Sequence, residues 1–182
     1  MKLLYYPDPA LRATARSVSR VDGALLEAIP RMFEVMYRAH GIGLAGPQVG
    51  LDRRVIVANL SGKAELKDQE RVFVNPEIVG RSGKVREEEG CLSFPGMSVL
   101  LERAAKIDVR YKDLEGHEVR REAEGLEAKF FQHEIDHLDG FLILDKMTPA
   151  DRKQWAPFLR ELEREFKASA RRSRSARSKA AL

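Results

Sequence analysis

The segment Glu124–Leu138 places the tightest limits on the fold. Leu126, Phe130, His133 and His137 recur on one helical face, with Phe131, Ile135 and Leu138 beside it, so this helix must be largely buried. Gly140 suits its end. A helix covered on most sides needs other elements around it, and the upstream sequence offers strands. RVIVANL, RVFVNPEIV, MSVLLE, KIDVRY and HEVRREA are short and β-rich, with a turn at Asp113 to Gly116, and no helical segment separates them. They predict antiparallel pairing and an α+β class: short antiparallel sheets packed around a central buried helix, flanked by an N-terminal and a C-terminal helix.

The N-terminal helix is expected from an Asp22 cap to about His40. Leu25, Leu26, Ile29, Phe33, Met36 and Tyr37 form its apolar stripe, and Gly41 suits the left-handed position after it. Pro30 should kink this helix or mark its true start. GIGLAGPQVG, Gly41 to Gly50, reads as a loop whose backbone approaches something closely. Thr148 as N-cap, Pro149 at the first position and Asp151 open the last helix, which Pro157 should bend and which ends near Phe166.

A chain of 182 residues, 43% hydrophobic and 33% charged, fits one globular domain. Six basic residues and no acidic ones lie from Lys167 onward, so of the net charge of +4 residues 1–166 carry −2. Basicity therefore belongs to the stretch 167–182, which lacks large apolar groups and is expected to be disordered, leaving 1–166 as the folded unit. The apolar run Leu3 to Tyr6 is too short for a signal-peptide core and no later run approaches a membrane span, which predicts a cytoplasmic protein with no membrane partner. The single cysteine, Cys91, excludes an internal disulfide.

Chemistry concentrates in FQHEIDHLDG. Residues four apart share a helix face, so His133 and His137 can aim at one centre, with Glu134 able to reach a water held there. A catalytic site of this kind needs a third protein ligand. The pattern HExxHxxGxxH would need histidine at position 143, which is Ile143, and Glu161, Glu163 and Glu165 lie in a charged, solvated-looking segment. Cys91 remains, in a polar, glycine-flanked turn that is unusual for an inert thiol. One thiolate and two imidazoles suit Fe(II), Zn(II), Co(II) or Ni(II) better than Mg or Ca. At this level the alternatives stay open: two core histidines bonded to backbone, with Glu134 exposed, and a quiet buried thiol.

GIGLAGPQVG, EGCLS and QHEIDHLDG, in this order and spacing, resemble the three signature segments of the peptide deformylase family, over roughly Leu3 to Phe166. One difference stands out: Gly46 replaces an alanine in the first segment, and loss of that methyl is expected to loosen the loop. The resemblance implies a hydrolase that removes the N-formyl group from the initiator methionine of nascent polypeptides. Cys91, His133 and His137 would hold one divalent metal, and Glu134 would be general base and then acid for a water on that metal. Gln48, through its amide, and Leu92, through its N–H, would form the oxyanion hole. The backbone at Ile42, Gly43 and Gly90 would pair with the substrate as an added strand, and Ile42, Leu126 and Phe130 would line the methionine pocket. Arg103 and Glu89 are expected to support the ligands from behind. Fe(II) is expected in the cell, with zinc, nickel or cobalt in purified protein, because a thiolate-ligated ferrous site is oxygen-sensitive.

The expected partners are N-formylmethionyl nascent peptides, with no DNA and a monomeric state. The basic tail could meet ribosomal RNA or simply be a solvated terminus. Two rival functions are a peptidase or amidohydrolase of other specificity, and a ribosome-binding module with a vestigial catalytic body.

Overall fold

The structure, a computed structural model, describes the backbone of residues 1–180 and the side chains of residues 1–169. Its elements in chain order are α1 (Gly23–Arg38), β1 (Gly43–Ala45), β2 (Val55–Ala58), β3 (Arg71–Ser82), β4 (Val85–Gly90), β5 (Ser98–Arg103), β6 (Lys106–Lys112), β7 (Glu118–Glu124), α2 (Gly125–Leu138) and α3 (Pro149–Ala180), joined by short 3₁₀ turns. All strand pairs are antiparallel. One sheet runs β1-β2-β3-β6-β7 and a separate ribbon pairs β4 with β5. The class is α+β, as the sequence predicts.

Side-chain alternation explains why two helices are needed. Leu44, Val55, Val57 and Val74 point to one face of the sheet and pack under α1, whereas Ala45, Ile56, Ala58 and Phe73 point to the other and pack with Phe130, Phe131, Ile135 and Leu138 of α2. β1 and β2 are therefore buried on both faces, which accounts for the uninterrupted apolar run in RVIVANL. A third cluster joins Leu11, Phe94, Met97 and Leu142 to Trp155, Phe158, Leu159 and Leu162 of α3. Among the described residues no helix is long and apolar enough to cross a membrane.

Several local expectations change. The Asp22 side chain accepts from Leu25 N at 2.8 Å, as a cap should, but Leu26 is exposed and Ala28, Met32 and Val35 complete the buried face instead. Pro30 neither starts nor ends α1 and lies on its exposed side, where the carbonyl it leaves unbonded can meet water. His40, not Gly41, takes the left-handed conformation, at φ 56°. Gly41 instead leaves room for the Leu92 side chain: a Cβ there would sit 2.6 Å from Leu92 Cδ1, so that side chain would have to move.

The glycine-rich segment is not all loop, since Gly43–Ala45 form β1 and Gly46–Val49 a 3₁₀ turn. VREEEG forms β4, which its low strand propensity conceals. β3 is longer than its apolar run and absorbs Pro76 at a bulge, where Asn75 has φ 52°. Leu126, placed on the buried face by periodicity, is 47% exposed. α3 continues through Pro157 and past Phe166 to Ala180, through most of the stretch read as disordered; that stretch contains no Pro or Gly, and its Ala, Arg and Lys residues favour helix. Residues 181–182 of the tail lie outside the described residues.

Candidate active site

α2 carries His133, Glu134 and His137 against the end of β4, where the strand leaves its ribbon at Gly90 and enters the turn containing Cys91. Phe94 N donates to the Cys91 carbonyl at 2.9 Å and Met97 N to the Phe94 carbonyl at 3.1 Å, which fixes that turn. Phe94 and Met97 hold it in the apolar cluster under α3. The Cys91 Sγ lies 3.2 Å from His137 Nε2, and the ligand atoms of Cys91, His133 and His137 all lie within 4.8 Å of one another. Residues distant in sequence thus converge on one small volume.

His133 Nδ1 is 3.1 Å from Glu89 Oε2, which turns the other ring nitrogen toward the thiol and His137. Glu89 in turn accepts from Arg103 Nε at 2.7 Å and Nη2 at 2.9 Å, and Arg103 Nη1 donates to Asp136 at 2.6 Å. Arg103 and Glu89 are both buried, so the pair is bidentate and shielded from water. Burial opposes the Glu89 charge, but the hydrogen bonds from His133 and Arg103 prevail and hold its pKa down to about 2. Lys146 approaches the other oxygen of Asp136 at 3.2 Å. The histidine is therefore oriented by a chain of charges that reaches the far side of α2.

The two imidazoles have their pKa values shifted in opposite directions. Burial works against charge on His133, yet hydrogen bonding to Cys91 and Glu89 raises its pKa well above the ordinary value. At His137 burial and the charges of His133 and Arg103 act together and lower it strongly. Burial pushes the Glu134 carboxyl up to about 7, against the pull of His133. Glu134 Oε2 and His137 Nδ1 are the two buried side-chain polar atoms among the described residues without a hydrogen-bond partner. An acceptor left open inside a cleft is where a reacting proton can be taken. The donor set fits a divalent transition metal: a thiol and two imidazoles within bonding reach of a common centre, one imidazole braced by a carboxylate as metal-bound histidines commonly are.

A cleft of about 690 Å³ opens onto these groups. Ile42, Gly43, Gln48, Gly90 and Leu92 line it on the strand and turn side, and Leu126, Phe130, His133 and Glu134 on the α2 side. Every residue the sequence offered as a ligand, catalytic or substrate-binding group is thus at the cleft or in the Cys-His-His group, and Arg103 stands behind them through Glu89. Gly43 is pressed against α2, because a Cβ there would lie 2.4 Å from Phe130 Cε2 and 2.9 Å from Glu134 Oε1. Gln48 is fixed by its own turn: its Oε1 accepts from Ala45 N at 2.9 Å, which directs Nε2 to Cys91 Sγ at 3.8 Å and Ser93 Oγ at 3.3 Å. Gly46 does not loosen this turn. A Cβ there would stand 2.5 Å from the Arg53 carbonyl oxygen and 2.8 Å from that of Leu51, so the backbone has closed over the missing methyl.

Sequence reasoning passed over three residues of the site. Ser93 lies in the quoted EGCLS turn, and only the fold reveals that it shares the Gln48 amide. Asp136 looks like a solvated helix residue, although its place between the histidines is a signal that it could brace one of them. Lys129 precedes His133 by one turn and borders the cleft.

Residues 1–153 match the family model of polypeptide deformylases. A peptide deformylase of Thermodesulfovibrio yellowstonii is 44% identical over 153 residues, covering 84% of this chain and 92% of that protein. One of Alkalilimnicola ehrlichii is 45% identical over 165 residues, covering 91% and 92%. Among solved structures, the peptide deformylase of Plasmodium falciparum superposes with a TM-score of 0.88 at 41% identity, over 91% of this chain and 97% of that one. Peptide deformylase 1B of Arabidopsis thaliana, in complex with an inhibitor, superposes with a TM-score of 0.87 at 37% identity, over 93% of each chain. On a family match spanning most of its length and relatives of this similarity, the chain belongs to the polypeptide deformylase family.

Proposed function

We infer that this protein is a metal-dependent hydrolase that removes the N-formyl group from the N-terminal formylmethionine of nascent polypeptides. The observation that carries the reading is the convergence of Cys91, His133 and His137 beside an unpartnered Glu134 oxygen in one cleft. α2 is read as the central helix that presents the HExxH pair, within a catalytic unit spanning 1–166. Cys91, His133 and His137 would hold the ion, Fe(II) in the cell and Zn(II), Ni(II) or Co(II) in purified preparations. Bound there, such a cation supplies Lewis acidity and brings the pKa of a water toward ~7.

The remaining chemistry belongs to the chain. β1 and β4 each leave an edge unpaired beside the cleft, so an extended peptide can add its backbone at Ile42, Gly43 and Gly90. Leu126, Phe130 and Ile42 offer apolar surface to the methionine side chain. Glu134 takes the proton released as water adds to the formyl carbon and returns it to the departing amine. The Gln48 amide and the Leu92 N–H stabilise the negative charge that develops on the former carbonyl oxygen. Glu89 and Arg103 keep His133 in the orientation that ligation needs.

The reading also proposes a cytoplasmic monomer acting on chains at the ribosome, with the basic residues of 167–182 adding salt-sensitive attraction to RNA. Formate release from a formyl-Met peptide, acetate release from an acetyl-Met peptide and scission of internal bonds in an unblocked peptide, measured on anaerobically purified protein, test the function. Formate from the first alone is the expected outcome. Cleavage only of the other two would establish the peptidase or amidohydrolase alternative.

A further inference from the structure

Lys129 is the one lysine or arginine among the described residues that line the cleft. It sits on α2 one turn ahead of His133, an axial rise of roughly 6 Å, next to Leu126 and Phe130. Its Nζ lies 3.0 Å from Glu87 Oε2 and donates to the Glu88 carbonyl oxygen at 3.4 Å. The ammonium therefore spans from α2 to β4 along the wall of the cleft, with its side chain 25% exposed.

Two consequences follow from elementary chemistry. An ammonium has three N–H donors, and its contacts with Glu87 and Glu88 account for two of them. Glu87 offsets the charge, so a nearby group meets an N–H dipole more than a net positive field. A methionine side chain is unbranched with three rotatable bonds. With its formyl group at the His133 end of the cleft, it would have Leu126, Phe130 and Lys129 of α2 within the same cleft to meet. A wholly apolar wall at that point would penalise any side chain ending in an oxygen, which would lose water without gaining a partner.

Building on the deformylase reading, we propose that Lys129 is a specificity residue that extends the first-residue preference to side chains ending in a neutral hydrogen-bond acceptor, methionine sulfoxide above all. The remaining N–H donates to the sulfoxide oxygen, so formyl chains whose initiator methionine has been oxidised stay substrates. A carboxylate at the same place gains less, because it approaches Glu87 as well.

The test compares kcat/KM for a formyl-Met peptide with that for the same peptide carrying methionine sulfoxide, on wild type, Lys129→Met and Lys129→Arg. Each variant's own formyl-Met rate serves as the reference, so the ratio is independent of the fraction of active enzyme. Lys129→Met is expected to lower the sulfoxide-to-methionine ratio by roughly threefold to tenfold, the effect of one charge-assisted hydrogen bond at a partly exposed site. The loss should appear in KM, since the bond forms equally in bound substrate and transition state. Lys129→Arg, which keeps a donor, should hold the ratio within about twofold. Lys129→Leu serves the same comparison should Lys129→Met fail to fold. An unchanged ratio in the apolar variant, or an equal fall in Lys129→Arg, overturns the proposal and leaves Lys129 as a brace between helix and strand. Absence of formate from the formyl-Met peptide with wild type would instead overturn the deformylase reading itself.

Discussion

α1 and α2 cover opposite faces of the same strands, and they differ in what they bury. The inward face of α1 is carbon and sulfur throughout: Leu25, Ala28, Ile29, Met32, Phe33, Val35 and Met36. That of α2 includes Gln132, Glu134 and His137 among its apolar residues. Polar groups taken out of water destabilise a fold unless partners answer them. Around α2 most are answered: Gln132 Nε2 bonds the Ala104 and Ala128 carbonyls and its Oε1 accepts from Ala104 N, while Asp136 and His133 meet Arg103 and Glu89. The atoms left over, Glu134 Oε2 and His137 Nδ1, lie beside or within the Cys-His-His group. One helix is packing; the other places reactive groups where packing would ordinarily put carbon.

The sharpest way to break this contrast is Glu134→Ala. If Glu134 is the proposed general acid–base group, its removal should lower turnover of a formyl-Met peptide by about 10²–10⁴-fold, while metal content and thermal stability stay near wild type, because the proposed ligand set is Cys91, His133 and His137 and the substitution removes an unpartnered buried oxygen. Metal analysis alongside formate release checks both halves. A fall of less than about tenfold would mean that Glu134 is no more chemical than Met32.

Next in size is a matched pair of truncations. Arg103→Ala leaves Glu89 buried without its guanidinium and Asp136 with Lys146 alone, and is expected to cost roughly 3–5 kcal/mol of stability. It should also weaken metal affinity by about 10–100-fold through the loosened His133. Met32→Ala, on the apolar side, should cost about 2–5 kcal/mol by cavity formation and leave metal affinity untouched. Denaturant unfolding and metal competition on the two variants separate the helices: both lose stability, one loses the metal. Equal metal affinity in both would mean that the charge chain behind His133 only holds the fold together.

The same contrast explains which parts of the molecule could be read in advance. Residue types announce chemistry, so His133, Glu134, His137 and the oddly placed Cys91 were visible, and the period of α1 and α2 announced helices. Three residues of strand carry no period, so β1 was hidden inside a glycine-rich run; its conformation comes from pairing with β2. β4 was hidden by its glutamates, which look solvated. Glu87 and Glu89 in fact turn toward Lys129 and Arg103, residues far off in sequence. Leu126 was misplaced because periodicity identifies a face, not how far a cleft cuts into it. Partners that meet through tertiary contact leave no mark on local pattern.

Gly46 offers the smallest effect and the finest division between the two sides. It opens the turn that carries Gln48 across from α2, and the Arg53 and Leu51 carbonyl oxygens occupy the space a methyl would need. Backbone cannot rotate out of the way as a side-chain end can, so Gly46→Ala must shift the turn, at a cost of roughly 1–3 kcal/mol typical of overpacking. A shift of the turn also moves the Gln48 amide away from Cys91 and Ser93. Turnover should therefore fall by more than the loss of folded protein explains, with KM little changed if the amide acts on the developing oxyanion. Stability and kcat measured on the same preparation decide it: a variant as stable and as active as wild type would show that this turn has slack, and that the close fit at Gly46 does not position Gln48.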